Sequence, residues 1–295
     1  MRVARSIAEL VGLRAEVPAS HRVGFVATMG ALHAGHASLI EQAQALSDTV
    51  VVSIFVNPLQ FGPGEDYARY PRPLEADLER CAELGVDLVF VPAVSDLYPS
   101  GRQVSVSAGT MGTVLEGVAR PGHFDGMLTV VLKLLNLVRP QVAVFGRKDA
   151  QQLACVARMV VDLNLDVRVV GGETVREPDG LALSSRNVFL SPADRGLALS
   201  LVSALEKAAA QTTPEEALEA ARTVLDAAGQ DPAFVLDYLA AVNPETFAEV
   251  GADHGGDVLL VVAARVGAVR LIDNVVLPRP ELLEPLVVPR LPSPR

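Results

Sequence analysis

Thr28-Met29-Gly30-Ala31-Leu32-His33-Ala34-Gly35-His36 is the stretch that decides the fold. Before it, Val23-Gly24-Phe25-Val26-Ala27 reads as a short buried strand. After it, Leu39, Ile40, Ala43 and Leu46 recur at helical spacing, which predicts a helix over Ala37 to Leu46. The nine residues are therefore a strand-to-helix turn. Such a turn is expected to gather free backbone N–H groups and the positive end of a helix dipole at one spot, which suits phosphate. Gly30 and Gly35 let the backbone come close to a ligand. His33 and His36 are three apart, so both rings can point the same way. Two imidazole donors there suit a polyphosphate and charge that builds up in a transition state. Taken alone, the pattern also fits two surface histidines after a turn.

Working outward, Thr49 to Val56 is a continuous apolar, β-branched run, the mark of a parallel strand buried on both faces. Val23 to Val56 is then one βαβ unit. Asn57-Pro58-Leu59-Gln60-Phe61-Gly62 follows at the strand's carboxyl end, where ligands bind in open α/β sheets. Asn57 before Pro58 also suits plain turn chemistry. Leu74 to Leu84 reads as a helix, Asp87 to Val91 as a strand and Pro92 to Arg102 as a loop. The alternating Val104-Ser105-Val106-Ser107 reads as a short half-exposed strand at an edge. Glu116 to Gly126 reads as a glycine-rich loop holding Arg120 and His123, and Met127 to Val138 as a deeply buried helix. Val142 to Phe145 is a fourth strand. It ends in Gly146-Arg147-Lys148-Asp149, a second cluster of glycine and charge, followed by Gln151, Gln152 and a helix. That cluster could equally be a solvated turn that starts a helix. Val167 to Val170 is a fifth strand.

The pattern changes near Val175. Pro178-Asp179-Gly180 is a turn, and Leu183-Ser184-Ser185-Arg186-Asn187 is dense in hydroxyls around one cation. Ser191-Pro192 and Thr213-Pro214-Glu215-Glu216 open helices. Asp257 to Arg265 and Val269 to Val276 form a hairpin. Pro278 to Arg295 holds six prolines and continues no element; its end is expected to be mobile. The organisation is an α/β parallel-sheet domain over residues 1–174. A small α+β region with a proline-rich tail covers 175–295.

Composition narrows the function. The 25 Lys and Arg against 35 Asp and Glu leave a formal charge of −10. An acidic chain without a basic block is a poor nucleic-acid or anionic-membrane binder. Any anionic substrate must be held by a few placed cations. Cys81 and Cys155 fit no metal or redox spacing and read as small buried residues of a reduced, cytoplasmic protein. Arg2, Arg5 and Arg14 are interrupted by Glu9 and Glu16 with no apolar run behind them. The start is therefore an amphipathic first helix and not an export signal.

Five clusters now stand in order: Thr28 to His36, Phe55 to Gly62 (FVNPLQFG), Ala119 to Phe124 (ARPGHF), Phe145 to Leu153 (FGRKDAQQL) and Asp179 to Asn187 (DGLALSSRN). Together they resemble the pantothenate synthetase (pantoate–β-alanine ligase) family of HxGH nucleotidyltransferases. The resemblance has motif strength from about Phe25 to Asn187. It implies a Rossmann-like nucleotidyltransferase domain over residues 1–174 with a small C-terminal lid domain over 175–295. The implied enzyme is a homodimer that joins pantoate to β-alanine with ATP and Mg²⁺ through pantoyl adenylate, releasing pyrophosphate and then AMP. It implies that Met29, Gly30, Ala31, Leu32, His33, Ala34, Gly35 and His36 line the ATP phosphates. His33, His36 and Lys148 are the implied catalytic residues. Gly146, Arg147, Lys148, Asp149, Val175, Leu183, Ser184, Ser185 and Arg186 are the further implied ATP contacts. Gln60 and Gln152 would hold pantoate, with Gln60 also near β-alanine. No Mg²⁺ ligands are assigned. Two departures stand out: Ala27 where the family usually has Pro, and Arg147 where Glu is common.

The residue types suit that chemistry. A carboxylate nucleophile is already ionised at neutral pH, so the first step needs positioning and charge stabilisation and no general base. Two rivals stay open at this point. A related nucleotidyltransferase acting on a phosphate ester has no use for Gln60 and Gln152. A non-catalytic nucleotide sensor needs no second substrate pocket.

Overall fold

A computed structural model describes residues 1–99, 103–251 and 254–277. The elements run β1 (Arg2–Ala4), α1 (Ile7–Ala15), β2 (Val23–Thr28), α2 (Ala34–Leu46), β3 (Thr49–Ile54), α3 (Leu74–Glu83), β4 (Leu88–Phe90), α4 (Val94–Leu97), α5 (Glu116–Ala119), α6 (His123–Val138), β5 (Val142–Gly146), α7 (Ala150–Asp162), β6 (Arg168–Gly172), α8 (Pro192–Ala209), α9 (Pro214–Ala228), β7 (Phe234–Val242), β8 (Val258–Val266) and β9 (Val269–Leu277). They form two compact units. One comprises Met1–Gly146 and Cys155–Glu173; the other comprises Arg147–Ala154 and, among the described residues, 174–277.

The first unit is built on a six-stranded, all-parallel sheet in the order β1-β4-β3-β2-β5-β6. The apolar runs become strands because both faces are covered. Val26, Val52, Val89 and Val144 pack on one face with Ile40 and Ala43 of α2 and Cys81 of α3. The general right-handed rule for parallel crossovers assigns α1 and α6 to the opposite face, and the two helices meet where Arg14 Nε donates to Val138 O at 2.8 Å. From β2 the chain runs outward through β3 and β4, then returns to lay β5 on the other side of β2. The carboxyl ends of β2 and β5 therefore flank a topological switch point, the usual site of a ligand crevice in such sheets.

The second unit is α+β. Its antiparallel sheet, in the order β7-β8-β9, packs Leu260, Val262 and Ala264 against Ala198, Leu201 and Leu205 of α8 and Ala221 and Leu225 of α9. The expected caps are present: Ser191 Oγ accepts from Asp194 N, and Thr213 and Glu216 close a capping box.

Several expectations change. The alternating stretch at Val104 is not a strand. Its backbone donors go to α6 side chains instead: Val106 N to Thr129 Oγ1 at 3.0 Å and Ala108 N to Asp125 Oδ1 at 2.7 Å. Glu116 to Gly126 is not one loop, because α5 and the first turn of α6 lie within it. α2 begins at Ala34, three residues early. Two strands carry no clear sequence signature. β1 is only three residues long, and a β-bulge at Leu236/Tyr238 breaks the alternation of β7. Within the expected loop from Pro92, Val94–Leu97 is a helical turn; Arg102 and the tail from Pro278 lie outside the described residues. Among the described residues no helix is long and apolar enough to cross a membrane.

Candidate functional site

The turn after β2 is held from below. Thr28 Oγ1 donates to Ser53 O at 2.8 Å, and Gly30 N donates to Thr28 Oγ1 at 3.2 Å. Gly30 (φ +83°) and Ala31 (φ +52°) both take left-handed conformations, uncommon for alanine. What holds them there is Asp77, a buried carboxylate on α3 that accepts from Ala31 N at 2.9 Å and Leu32 N at 2.7 Å. A Cβ at Gly30 would stand 2.8 Å from Asp77 Oδ2, so only glycine fits. No local sequence signal marks Asp77, which lies 45 residues beyond Leu32 along the chain.

The two histidines cap α2 reciprocally. His33 Nδ1 accepts from Gly35 N at 3.1 Å, and His36 Nδ1 accepts from His33 N at 3.2 Å. Their ring centroids are 4.1 Å apart. The expectation of free backbone N–H groups is corrected at five positions: those of Gly30, Ala31, Leu32, His33 and Gly35 are occupied. A neutral ring whose Nδ1 is an acceptor carries its proton on Nε2. Both rings therefore carry their proton on Nε2 when neutral, with the ring centroids close together.

Beside it, at the end of β3, Asn57 is fully buried and its amide orientation is fixed by its neighbours. Its Oδ1 accepts from Leu59 N at 3.3 Å and Tyr98 Oη at 3.0 Å, so its Nδ2 is the donor, reaching Gly126 O and Gln60 Oε1 at 3.1 Å each. The turn role of Asn57 is real, and it has this second effect. With Gln60 Oε1 committed to Asn57, the buried Gln60 amide presents Nε2–H donors. Gly126 belongs to the same packing, because a Cβ there would collide with Leu59 O.

The Gln60 backbone is fixed as firmly. Its carbonyl accepts from Arg120 Nη2 at 3.0 Å and His123 Nδ1 at 2.9 Å. Arg120 also grips Glu65 through both carboxylate oxygens, at 2.9 and 2.8 Å. His123 must donate from Nδ1 to a carbonyl, so its Nε2 accepts from Arg120 Nη1 at 3.2 Å. Burial, reinforced by the Arg120 charge, pushes the His123 pKa down to about 4. Burial disfavours the Glu65 charge, but the hydrogen bond and charge of Arg120 outweigh it and hold that carboxyl below its usual range. The Arg120–His123 cluster is thus a brace for Gln60 and not a source of protons near neutral pH.

In the second unit, Arg147–Asp149 form one 3₁₀ turn leading into α7, with Arg147, Lys148 and Gln152 half-buried and Asp149 exposed. Gly146 itself ends β5 in the first unit. Val175 and Leu183 are brought side by side, Leu183 N donating to Val175 O at 3.0 Å across the turn at Gly180. The half-buried Ser184, Ser185 and Arg186 follow, with Arg186 N donating to Ser184 Oγ at 3.2 Å. Asn187 Nδ2 donates to Glu177 Oε1 at 2.6 Å, and Arg195 pairs with Glu177 and Asp179, so the base of this loop is pinned. Arg176 makes a bidentate pair with the buried Asp273 of β9, at 2.6 and 3.0 Å. Asn274 Nδ2 donates to both Arg147 O and Lys148 O at 3.0 Å. Sequence reasoning missed Asp273 and Asn274, although two polar residues inside an apolar strand are a readable signal.

The cysteines are as expected, buried and unpaired with each other. Burial raises the Cys81 thiol to about 11 and the Cys155 thiol to about 12.

Comparison with known proteins places this geometry. The family model described as pantoate-beta-alanine ligase matches residues 2–276. A pantothenate synthetase from Thermobifida fusca is 56% identical over 282 residues, covering 92% of this chain and 94% of that protein. The crystal structure of pantothenate synthetase from Thermus thermophilus superposes with a TM-score of 0.87 at 50% identity, covering 93% of this chain and 99% of that one. A pantoate-beta-alanine ligase from Francisella tularensis, crystallised with beta-gamma ATP and beta-alanine, superposes with a TM-score of 0.77 at 35% identity. It covers 93% and 97% of the two chains.

Proposed function

The chain belongs to the pantoate–β-alanine ligase family, and on that premise we propose how its own residues carry out the ligation. The enzyme condenses pantoate with β-alanine in two steps. First the pantoate carboxylate attacks the α-phosphorus of ATP; the P–O bond to the β-phosphate breaks and pyrophosphate leaves. Then the neutral amine of β-alanine attacks the acyl carbon of the adenylate, the acyl–phosphate bond breaks, AMP leaves and the proton shed by the nitrogen passes to water. The carboxylate needs no deprotonation, so the first step is one of alignment and charge stabilisation.

The observation that carries this reading is the fixed polarity of the donors. His33 and His36 each commit Nδ1 to the backbone, leaving Nε2–H as the donor for phosphoryl oxygens. Gln60 commits its oxygen to Asn57 and keeps its Nε2–H groups as donors, the right polarity for the carboxylate and hydroxyl oxygens of pantoate. Neither rival needs a buried amide of fixed polarity beside a phosphate turn. Met29–His36, with Gly146 to Asp149, are assigned to ATP. Lys148 is the phosphate cation, and Gln152 is assigned to pantoate. Val175 and Leu183 to Arg186 close over the triphosphate. Both Asp77 oxygens are engaged by backbone N–H, and among the described residues no cluster of three His, Cys, Asp or Glu could hold a metal. This donor set fits Mg²⁺ that enters as the ATP complex, held mainly by phosphates and water. We further assign a homodimer, a cytoplasmic location and a lid role to residues 175–277.

Pantoate-dependent exchange of labelled pyrophosphate into ATP tests the core of the reading. Exchange that needs pantoate but not β-alanine, followed by release of AMP when β-alanine is added, is expected. Release of ADP and phosphate in place of AMP and pyrophosphate would overturn it.

A further inference from the structure

We propose that Asn274 is a positioning residue for Lys148, acting from the C-terminal hairpin on the turn that presents that side chain to ATP. The proposal rests on Lys148 contacting phosphate, as assigned above. Arg147 and Lys148 immediately follow β5, whose last ladder pair is Gly146 with Gly172. Were the strand to continue, successive carbonyls would point in opposite directions along the ladder, and the Arg147 and Lys148 side chains would fall on opposite faces. Instead both carbonyls turn to one side, and a single amide nitrogen meets them at 3.0 Å each. A carboxamide nitrogen has two hydrogens in one plane, so this fork uses both and fixes the relative orientation of two consecutive peptides. The identity of the donor is unambiguous, because carbonyl oxygens only accept.

Asn274 is itself held in place. It sits in the β8–β9 register opposite Val261, and its backbone N donates to Asp273 Oδ1 at 2.8 Å. Asp273 is buried and takes both Arg176 nitrogens, while Arg176 Nη1 also reaches Gly180 O at 3.1 Å. Arg176 lies on the arm that leads to Ser184-Ser185-Arg186. One dipeptide on β9 therefore ties down both ATP-assigned stretches of its unit, through opposite faces of the strand. An apolar side chain at either position would pack the hairpin but leave those stretches without their anchor.

A double-mutant cycle separates positioning from general stability. Asn274→Ala should lower the rate of pantoate-dependent pyrophosphate exchange at saturating substrates by roughly tenfold or more, the size of effect expected from misplacing a catalytic group. The KM for pantoate should change little. In a Lys148→Ala background the same substitution should cost less than about threefold, because the group it aims is gone. Asn274→Thr, a β-branched residue suited to a strand but unable to span two carbonyls, should reproduce the loss if Asn274→Ala proves unfolded by circular dichroism. Two results would overturn the proposal: either variant, folded, exchanging within about threefold of the parent, or a full-sized effect persisting without Lys148. A parent protein with no pantoate-dependent exchange would instead overturn the ligase assignment, so the two failures are distinct.

Discussion

His33 and His36 cap α2 and are also assigned to phosphate, and substitution separates the observed role from the assigned one. Each ring accepts a backbone N–H at the start of α2, so alanine removes a cap as well as the donor proposed for phosphate. Losing the cap costs about 1 kcal/mol, and losing a preorganised donor costs roughly 10²-fold in adenylation rate. His33→Asn restores a good cap but not the Nε2–H donor. It should keep the urea midpoint of the parent while single-turnover adenylation falls roughly 10²-fold, as His33→Ala and His36→Ala do. Near-parental turnover in any of the three would refute the phosphate role. The strand, turn and helix that place these residues were readable because the pattern is local, within a few residues. Asp77 was not readable. Its work is to hold Ala31 and Leu32, and nothing near Asp77 in sequence hints at a turn on another segment.

The elements around Gln60 show how packing sets chemistry. α6 begins three residues before Gly126, and that glycine lets the helix lie against the Leu59 carbonyl. A methyl group there must push α6 or the Pro58–Gln60 turn aside, at about 1–3 kcal/mol for an overpacked contact. Asn57 bonds Gly126 O and Gln60 Oε1 with one nitrogen, so the shift reaches the Gln60 amide proposed to hold pantoate. Gly126→Ala should therefore lower the urea midpoint and raise the KM for pantoate more than that for ATP. An unchanged pantoate KM in a destabilised variant would show that this contact does not aim Gln60. Element prediction succeeded where the pattern was long and apolar, as in β3, β5 and α6. It failed where tertiary partners replaced the expected ones. The stretch at Val104 alternates like a strand, yet α6 side chains take its backbone donors. Conversely, the bulge in β7 hides a nine-residue strand from any period-two reading.

The whole molecule inherits an acid-sensitive point from His123. In the fold its pKa is about 4, against about 6.5 in an unfolded chain. Between those values the unfolded chain binds the extra proton, so stability falls as pH drops from about 6.5 to about 4 and levels off below. The full span corresponds to on the order of 3 kcal/mol. His123→Gln can still donate to Gln60 O and accept from Arg120 but has no proton to gain. Its urea midpoint should fall less than the parent's between about pH 7 and about pH 4.5, and equal falls would show that other groups set the acid limit. The lid assignment is tested separately by small-angle scattering. The radius of gyration should shrink when a non-hydrolysable ATP analogue and pantoate are bound, and an unchanged radius with binding confirmed would refute closure. The buried thiols have a practical consequence. Cys81 and Cys155 sit on different helices, α3 and α7, and both resist ionisation in the fold. Thiolate is the reactive form, so an alkylating reagent can label either only when its helix opens. The native sequence thus carries two built-in clocks, whose labelling rates under native conditions time the opening of α3 and α7 without any engineered probe.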